Sequence, residues 1–413
     1  MRPIALLLLF TPLLVSQTLP TTNIPLTYFG THLHTPGSSG WPTVAVGALG
    51  HSTEVGWVYV EPSAPVSGVH TYNWSNIDYW VTLAAANGAM YTWTNAGIPS
   101  WAVASSETSS CTLTPVGGVT DSECTGDVSS SHYADWQAFV TALVQRYKGR
   151  IAMYELWNEP YNSSEYTGTV ANMVTLTNYL HDAVRANDPS ALLGSQTIFG
   201  YNTGWPNSFY AAGGTTDVDV VTTHGEPGSI HPESILGSLS SGVTSVMSAN
   251  GISGKPIWDT EAEPGISVSN VAAYAAVFYL LHWQVGITRL YWYGWDYGDN
   301  NAELKGTPAA TAYQQVYDWM IGTTAGACTQ SPGGSSNIYT ATYTCPLNRG
   351  VLSYLASWNA GGTGSLSVSS NYIAYSDLAG VIHPISAGIV PLTNSPMLIQ
   401  PVNAIASFDG QVF

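Results

Sequence analysis

The chain has 413 residues, of which 8% are charged, and its formal net charge at pH 7 is -17. It contains nine lysine and arginine residues in total, so no basic surface is available to neutralise phosphates, and nucleic acid is excluded as an expected partner. A chain of this length exceeds what one simple hydrophobic core usually holds, which predicts a large domain and a smaller one.

The N-terminal residues have the pattern of an export signal. Residues 1–3 carry a positive charge, residues 4–15 are apolar apart from Thr11 and Pro12, and small or polar residues follow. A membrane span would need about 18 or more apolar residues, which this run lacks. We expect residues 1–17 to be a signal peptide, the mature protein to be secreted into an extracellular or periplasmic space, and no membrane to be bound after signal removal.

Short β-prone runs alternate with longer amphipathic stretches over residues 21–322. Apolar residues recur at the i, i+3, i+4 spacing of a buried helix face in 133–148, and 271–285 is a second helical stretch. Eight strands are predicted, at residues 27–34, 54–60, 89–94, 151–157, 192–197, 218–223, 256–260 and 287–293. The alternation predicts an α/β fold, a (β/α)8 TIM barrel. A doubly wound sheet alternates similarly, but no glycine-rich phosphate loop follows the first strand.

The pattern changes after a predicted helix at residues 309–320. Glycine- and serine-rich turns then separate short alternating runs, for example at 338–344, 351–358 and 365–369. This pattern predicts a small C-terminal antiparallel β domain over residues 323–413.

The four cysteines form two local pairs along the chain. In an exported protein they predict the disulfides Cys111–Cys124 and Cys328–Cys345. No histidine stands near them in the register of a zinc ligand, so a zinc site is not expected. We expect neither a metal nor a cofactor.

Two of the predicted strands end in carboxylates. The fourth ends in Asn158, Glu159 and Pro160, and the seventh ends in Thr260 and Glu261. Barrel enzymes keep their catalytic groups at such strand ends. A glutamate there can act as a general acid, and a second one about 5 to 5.5 Å away across a sugar can act as a nucleophile. The pair therefore predicts cleavage of a glycosidic bond with retention, in which one glutamate protonates the leaving oxygen and the other attacks the anomeric carbon.

Both strand ends resemble glycoside hydrolases of clan A, through the motifs Trp157-Asn158-Glu159-Pro160 and Ile257-Trp258-Asp259-Thr260-Glu261. Other segments are similar to family 39, which includes β-xylosidases and related secreted glycosidases. These segments are Val60-Glu61-Pro62, Tyr72-Asn73-Trp74, Ile77-Asp78 and Ile98-Pro99-Ser100-Trp101. Residues 289–296, 307–309 and 312–319 resemble uncharacterised bacterial and fungal relatives of that group. The resemblance implies Glu159 as acid/base and Glu261 as nucleophile. The resemblance covers nearly the whole mature chain and implies a retaining glycosidase on a (β/α)8 barrel, with an oligo- or polysaccharide as substrate.

The resemblance also implies roles for residues at the strand ends. Asn158 would contact the substrate hydroxyl beside the anomeric carbon, and His224 at the end of the sixth strand would orient the nucleophile. Family members commonly place a tyrosine after that histidine, whereas Gly225-Glu226-Pro227 follows here. The other interpretation of His224 is a buried histidine bonded to the backbone.

An aromatic residue at the end of the eighth strand would form the floor under the reacting sugar. Trp295 and Trp292 are the candidates, and each is equally compatible with packing inside the barrel. His34 on the first strand and Asn95 after the third would lie near the mouth by the same topology.

Two further glutamates, Glu263 and Glu155, lie near the predicted catalytic pair in the sequence. Glu263 would point to the same side of an extended strand as Glu261, but the family pattern places the nucleophile directly after the threonine. Glu155 would lie deeper in the barrel on the face of Glu159, as a buried and hydrogen-bonded partner, because an unpaired buried carboxylate is costly.

Two other functions remain open on the sequence. A non-catalytic carbohydrate-binding cell-wall protein would keep the aromatic residues and lose a carboxylate, whereas both are intact. A transglycosylase would share every residue named and differ only in how well water reaches the intermediate. Xylan-type, glucan-type and arabinose-containing substrates are all compatible with the sequence, and it does not specify an oligomeric state.

Overall fold

The computed structural model describes residues 19–35, 40–50, 52–116, 119–225, 231–264, 268–297, 302–332 and 335–407. The signal peptide expected at residues 1–17 lies outside these ranges. None of the helices in the described ranges has both the length and the hydropathy needed to cross a membrane.

Eight short parallel strands form the centre of the fold. They are β1 (Phe29–Thr31), β2 (Ala48–Leu49), β3 (Met90–Trp93), β4 (Met153–Glu155), β5 (Leu192–Gly194), β6 (Val221–His224), β7 (Ile257–Ala262) and β8 (Ile287–Trp292). Their hydrogen-bonded order is β5-β4-β3-β2-β1-β8-β7-β6. Parallel bridges from Gly194 to Val220 and from Ile198 to Thr223 join the two ends of this order, so the sheet closes into a barrel. The predicted (β/α)8 barrel is confirmed.

Helices follow the strands and surround the barrel. They are α1 (Trp57–Val60), α2 (Ser75–Ala86), α3 (Tyr133–Tyr147), α4 (Val170–Asn187), α5 (Gly204–Ala211), α6 (Ser238–Ala249), α7 (Val271–Gln284) and α8 (Pro308–Met320). In α3 the residues at the i, i+3, i+4 positions are all buried, as the periodicity predicts. Thr307 accepts a hydrogen bond from the Ala309 amide and Pro308 occupies the first turn, which fixes the start of α8.

The second strand is not where the sequence predicted it. Residues 54–60 were expected to be a strand, but Trp57–Val60 form helix α1 and the barrel strand is Ala48–Leu49. The Trp57 amide donates to Asn95 Oδ1 at 2.8 Å, so a contact from the next loop stabilises the helical turn. A strand of two residues is too short to produce the alternation on which the prediction relied.

The interior of the barrel changes from apolar to polar along its axis. Ala48, Met153, Val220, Trp258 and Tyr291 form a separate buried cluster. Nearer the carboxyl ends of the strands the interior side chains are polar, as the next subsection describes. The barrel is therefore a packed core with a polar mouth.

A small three-stranded sheet covers part of this mouth. It lies between β3 and α3 and consists of Ile98–Pro99, Cys111–Val116 and Val119–Cys124. The predicted disulfide Cys111–Cys124 joins its two longer strands, and the second predicted disulfide, Cys328–Cys345, is also present.

The C-terminal part consists of antiparallel strands, as predicted. They are β9 (Thr324–Ala325), β10 (Thr329–Ser331), β11 (Thr342–Arg349), β12 (Leu352–Asn359), β13 (Gly364–Ser367), β14 (Tyr372–Ser376), β15 (Ile382–Pro384), β16 (Ile389–Leu392) and β17 (Met397–Pro401). The larger sheet has the order β9-β11-β12-β17-β14-β15, with β10 beside β11, and β13 pairs with β16. The domain boundary at residue 323 stays a prediction.

Removal of the disulfide Cys328–Cys345 should destabilise this part of the protein. The bond closes a loop between residues 17 positions apart, and a crosslink over such a loop stabilises by about 3 kcal/mol through the entropy of the unfolded chain. We expect the Cys328→Ala/Cys345→Ala variant to lose about that free energy of unfolding in a denaturant titration.

The bond Cys111–Cys124 remains in this variant and serves as the internal control. A reducing agent should therefore lower the stability of the wild type more than that of the variant. Equal unfolding midpoints of oxidised wild type and variant would contradict the prediction.

Candidate active site

The two predicted catalytic glutamates and His224 meet at the carboxyl ends of three barrel strands. Glu159 follows β4, His224 ends β6, and Glu261 lies in β7. Each carboxylate side chain is 13% exposed, and the histidine is completely buried. The resulting site is at the end of the barrel where strand-end side chains converge.

A register shift in β7 decides which of its side chains face this site. The pairing with β6 is regular to Asp259 opposite Thr223, then shifts so that Glu261 is opposite His224. Thr260 points into the barrel, where its hydroxyl donates to Glu155 Oε1 at 3.1 Å. Because of the shift, Glu261 faces the mouth instead of following the alternation of an uninterrupted strand.

The carboxylate of Glu159 is held from three directions. The Tyr161 hydroxyl donates to Oε1 at 2.9 Å, the Asn162 amide donates to Oε2 at 2.9 Å, and His224 Nδ1 lies 2.6 Å from Oε1. The residue has a φ of 37°, in the left-handed region that a non-glycine residue seldom adopts. Such a conformation persists when surrounding contacts determine it, and it points this side chain into the mouth.

His224 lies between the two carboxylates. Its Nδ1 is 3.8 Å from Glu261 Oε2, in addition to the 2.6 Å contact with Glu159. Burial alone would lower the pKa of His224, but the negative charges of Glu261, Glu159 and Glu155 raise it to about 10. The neighbouring carboxylates therefore favour the doubly protonated ring, whose Nδ1 donates to Glu159.

The contact between His224 and Glu159 also changes the pKa of Glu159. Burial alone would raise the pKa of Glu159, but the hydrogen bond and charge of His224, with the donors of Asn162 and Tyr161, lower this pKa to about 2. The two groups thus share one proton as an imidazolium and a carboxylate, and they titrate as a pair.

The carboxylates of Glu159 and Glu261 are close enough to act on one atom. One ligating atom from each of Glu159, His224 and Glu261 lies within 4.8 Å of the other two. Two carboxylates and an imidazole are also suitable ligands for a divalent cation. A cation at this position would have to replace the proton on His224, because only the neutral ring binds a metal.

A cleft of about 400 Å³ opens above these residues. Five of the described residues that line it are glutamates, and none is a lysine or arginine. The lining residues are His34, Ser52, Thr53, Glu54, Val55, Gly56, Tyr59, Thr94, Ala96, Glu123, Asn158, Glu159, Glu165, Glu261 and Tyr293.

Asn158 and His34, both predicted from the sequence, line the cleft. The Asn158 amide group donates to Glu165 Oε2 at 3.4 Å, whereas its Oδ1 is buried and has no hydrogen-bond partner. The backbone amide of His34 donates to Asp296 Oδ1 at 2.8 Å, and its ring lies 4.5 Å from that of Tyr293.

Asn95 and His224 do not line the cleft but support residues that do. Asn95 is completely buried, and its Oδ1 holds the start of α1. The backbone carbonyl of Asn95 accepts a hydrogen bond from the backbone amide of Asn158 at 3.1 Å. Asn95 therefore fixes the backbone beside the acid without facing the substrate space.

Trp292 and Trp295 are also absent from the cleft lining. Trp292 is completely buried, its Nε1 donates to the Ala302 carbonyl at 2.7 Å, and its ring packs against Phe278 of α7. Trp295 is 3% exposed. The aromatic residue that the eighth strand contributes to the cleft is Tyr293.

The structure also separates the competing glutamates. Glu261 lines the cleft, whereas Glu263 is 6% exposed and is not among the lining residues. Glu155 is completely buried and accepts from the hydroxyls of Thr197 and Thr260, and burial raises its pKa. Glu155 is thus buried as the sequence predicted, and the choice of Glu261 over Glu263 as nucleophile stays a prediction.

Several cleft residues were not predicted from the sequence. Tyr161 and Asn162 follow Pro160 directly, so their proximity to Glu159 was a local signal. Glu54, Glu123 and Tyr293 come from separate loops, and only the fold brings them together.

No protein-family model matches this chain, and no curated protein sequence matches it significantly. Many solved structures share its fold. A GH39 β-xylosidase from Caulobacter crescentus superposes with a TM-score of 0.61 at 13% identity, covering 93% of this chain and 98% of that chain. A GH30 endoxylanase from Clostridium papyrosolvens gives 0.59 at 13% identity, covering 93% and 99%. A glucosidase from Croceicoccus marinus gives 0.59 at 13% identity, covering 94% and 98%. The chain thus has the fold that the family resemblance implied.

The His224–Glu159 pair should make stability depend on pH in a defined way. The pKa of His224 is raised from 6.5 to about 10, so its contribution is fully present below 6.5 and is lost as the pH rises through 10. The pKa of Glu159 is lowered from 4.5 to about 2, so its contribution is present above 4.5 and is lost as the pH falls through 2. Between pH 4.5 and 6.5, where both contributions are present, we expect His224→Gln to lower the free energy of unfolding by about 3–5 kcal/mol. The difference from wild type should shrink as the pH rises toward 10.

Unfolding titrations of wild type, His224→Gln, Glu159→Gln and the double variant would measure this dependence. The double variant removes both charges and supplies the coupling energy of the pair. A wild-type advantage that stays constant from pH 6 to pH 10 would contradict the assigned protonation.

Proposed function

We propose that this protein is a retaining glycoside hydrolase that cleaves O-glycosidic bonds in an oligo- or polysaccharide. The observation that carries the proposal is the pair of carboxylates, Glu159 and Glu261, whose oxygens approach within 4.8 Å at the mouth of the barrel. The names of the solved structures with this fold, a xylosidase, an endoxylanase and a glucosidase, support the same class of substrate.

The separation of the two carboxylates favours retention over inversion. Retaining enzymes place them about 5 to 5.5 Å apart, so that one can attack the anomeric carbon directly. Inverting enzymes need about 6.5 to 9.5 Å to admit a water molecule between base and sugar. Carboxylate oxygens within 4.8 Å of each other support the retaining arrangement, with Glu261 as the nucleophile and Glu159 as the acid/base.

In the first step the glycosidic bond breaks with help from the shared proton. A carboxylate with a lowered pKa is a poor acid alone, so the proton that Glu159 delivers is the one it shares with His224 through the 2.6 Å contact. The proton moves to the leaving oxygen, the bond from that oxygen to the anomeric carbon breaks, and a Glu261 oxygen bonds to the carbon. The imidazole is then neutral.

In the second step water releases the sugar. The Glu159 carboxylate takes a proton from water, the water oxygen attacks the anomeric carbon, and the bond to Glu261 breaks. The proton returns to the His224–Glu159 pair, and Glu261 is again a carboxylate. Each residue ends the cycle in the state in which it began.

We also propose that the protein works outside the cytoplasm. Its two disulfides, Cys111–Cys124 and Cys328–Cys345, form and persist in oxidising compartments and are rare in reducing ones. This argument is independent of the N-terminal export pattern.

Replacement of either glutamate by glutamine should abolish most turnover while leaving the fold intact. Glu159→Gln removes the proton carrier and Glu261→Gln removes the nucleophile, so each should lower kcat on an activated aryl glycoside by at least about 10³-fold. Hydrolysis assays on purified variants with wild-type unfolding midpoints would measure the loss.

Glu263→Gln is the matched control because it removes a carboxylate two positions from the nucleophile and outside the cleft lining. It should retain activity within about tenfold of wild type. A dead Glu263→Gln variant beside an active Glu261→Gln variant would reverse the assignment.

The configuration of the first product tests the mechanism itself. Two successive inversions at the anomeric carbon leave the product with the configuration of the substrate, so proton NMR of the first-formed sugar should show retention. First-formed product of inverted configuration from wild type would refute the double displacement.

Rescue by an external anion tests the nucleophile independently. Glu261→Gly leaves room for a small anion such as azide, which should restore cleavage and give a glycosyl azide of inverted configuration. Glu263→Gly is the control, and azide should not accelerate it.

A further inference from the structure

One wall of the cleft, formed by Glu165, Glu123 and Asn158, presents hydrogen-bond acceptors. Glu165 and Glu123 both line it, and Glu165 lies beside Asn158 through the 3.4 Å contact of Oε2 with the amide. Glu123 is held by the hydroxyl of Tyr59, which donates to its Oε2 at 3.0 Å, and it adjoins the disulfide at Cys124. Burial, together with the charges of Glu159 and Glu123, raises the pKa of Glu165. These carboxylates are thus close enough to interact.

Asn158 adds an unused acceptor to this wall. The residue is 8% exposed, and its Oδ1 is buried without a hydrogen-bond partner. A buried polar atom of this kind costs free energy unless a ligand pairs with it. The atom that pairs with Oδ1 must be a donor.

The described residues that line the cleft include no lysine or arginine to neutralise this wall. Of the described lining residues, only His34 has a basic side chain, and its Nδ1 lies 3.8 Å from Asp296. The positive charge of His224 lies between Glu159 and Glu261. A ligand with a positively charged donor would therefore form charge-assisted hydrogen bonds with these acceptors.

We propose that the cleft selects a sugar that carries a protonated amine on the carbon next to the anomeric centre, a 2-amino-2-deoxyglycoside. This inference rests on the proposed function, because Asn158 lines the same cleft as Glu159 and Glu261 and directly precedes Glu159 in the chain. The ammonium group donates one hydrogen bond to Asn158 Oδ1 and another to the Glu165 carboxylate, and Glu123 contributes a longer-range attraction.

Glu165 has a further effect on the reaction. An ammonium group next to the anomeric carbon opposes the positive charge that develops there in the transition state. The negative charge of Glu165 offsets that repulsion, so its removal affects kcat as well as KM for the amino substrate.

The test compares substrates that differ only at this carbon. The best neutral parent is first found among nitrophenyl β-glycosides of xylose, glucose, galactose and arabinose, and kcat/KM is then measured for the parent and its 2-amino-2-deoxy analogue near neutral pH. We expect wild type to prefer the amine by about tenfold or more. In Glu165→Gln the preference should fall to about parity while the parent changes much less. Asp182→Asn removes a surface charge on α4, where the side chain is 71% exposed, and should keep the preference.

A measurement on wild type covers the case in which Glu165→Gln does not fold. The free 2-amino-2-deoxy sugar should inhibit parent hydrolysis about tenfold more strongly than the free parent sugar. A wild-type preference for the hydroxyl parent, equal inhibition by both sugars, or an amine preference that survives in a folded Glu165→Gln variant would overturn the inference. If wild type cleaves no glycoside, or Glu159→Gln cleaves the parent as fast as wild type, the proposed function itself fails.

Discussion

His224 is buried between Glu159 and Glu261, and the electrostatic balance at the mouth of the barrel depends on the charge of its ring. Two carboxylates about 5 Å apart repel each other by about 3 kcal/mol at an effective dielectric constant of about 20. Without a cation beside them, one carboxylate would take up a proton. The protonated ring of His224 lies 2.6 Å from Glu159 Oε1 and 3.8 Å from Glu261 Oε2, so its positive charge offsets this repulsion.

A second buried pair fixes the backbone next to this histidine. Asp259 Oδ1 accepts from the Gly225 amide at 2.9 Å, and its Oδ2 lies 2.8 Å from Nε2 of His282 in α7. A Cβ atom at position 225 would overlap Asp259 Oδ2, so only glycine fits there. Asp259, before the register shift in β7, thus anchors the end of β6 to α7, and Glu261, after the shift, faces the cleft.

The lack of basic residues in the composition reappears in the cleft. Loops after β2, β3 and β4 contribute Glu54, Glu123 and Glu165, and none of the described lining residues is a lysine or arginine. Their carboxylates are held by neighbouring donors, including Asn76 for Glu54 and Tyr59 for Glu123. Fixed acceptors favour substrates that donate hydrogen bonds and disfavour anionic sugars, whose charge they repel.

Several features of the fold and the site could be predicted from patterns along the chain. The alternation of strands and helices predicted the barrel, cysteine pairs 13 and 17 positions apart predicted the disulfides, and two strand ends predicted Glu159 and Glu261. Each of these patterns is visible along the chain without knowledge of distant contacts. Other features became clear only from the three-dimensional contacts. His224 lies closer to Glu159 than to Glu261. Trp292 and Trp295 are buried, and Tyr293 lines the cleft instead. The second strand is another such feature, since two residues are too few for a periodic signal. These features depend on a register shift and on contacts between loops far apart in the chain, and neither leaves a trace in local sequence.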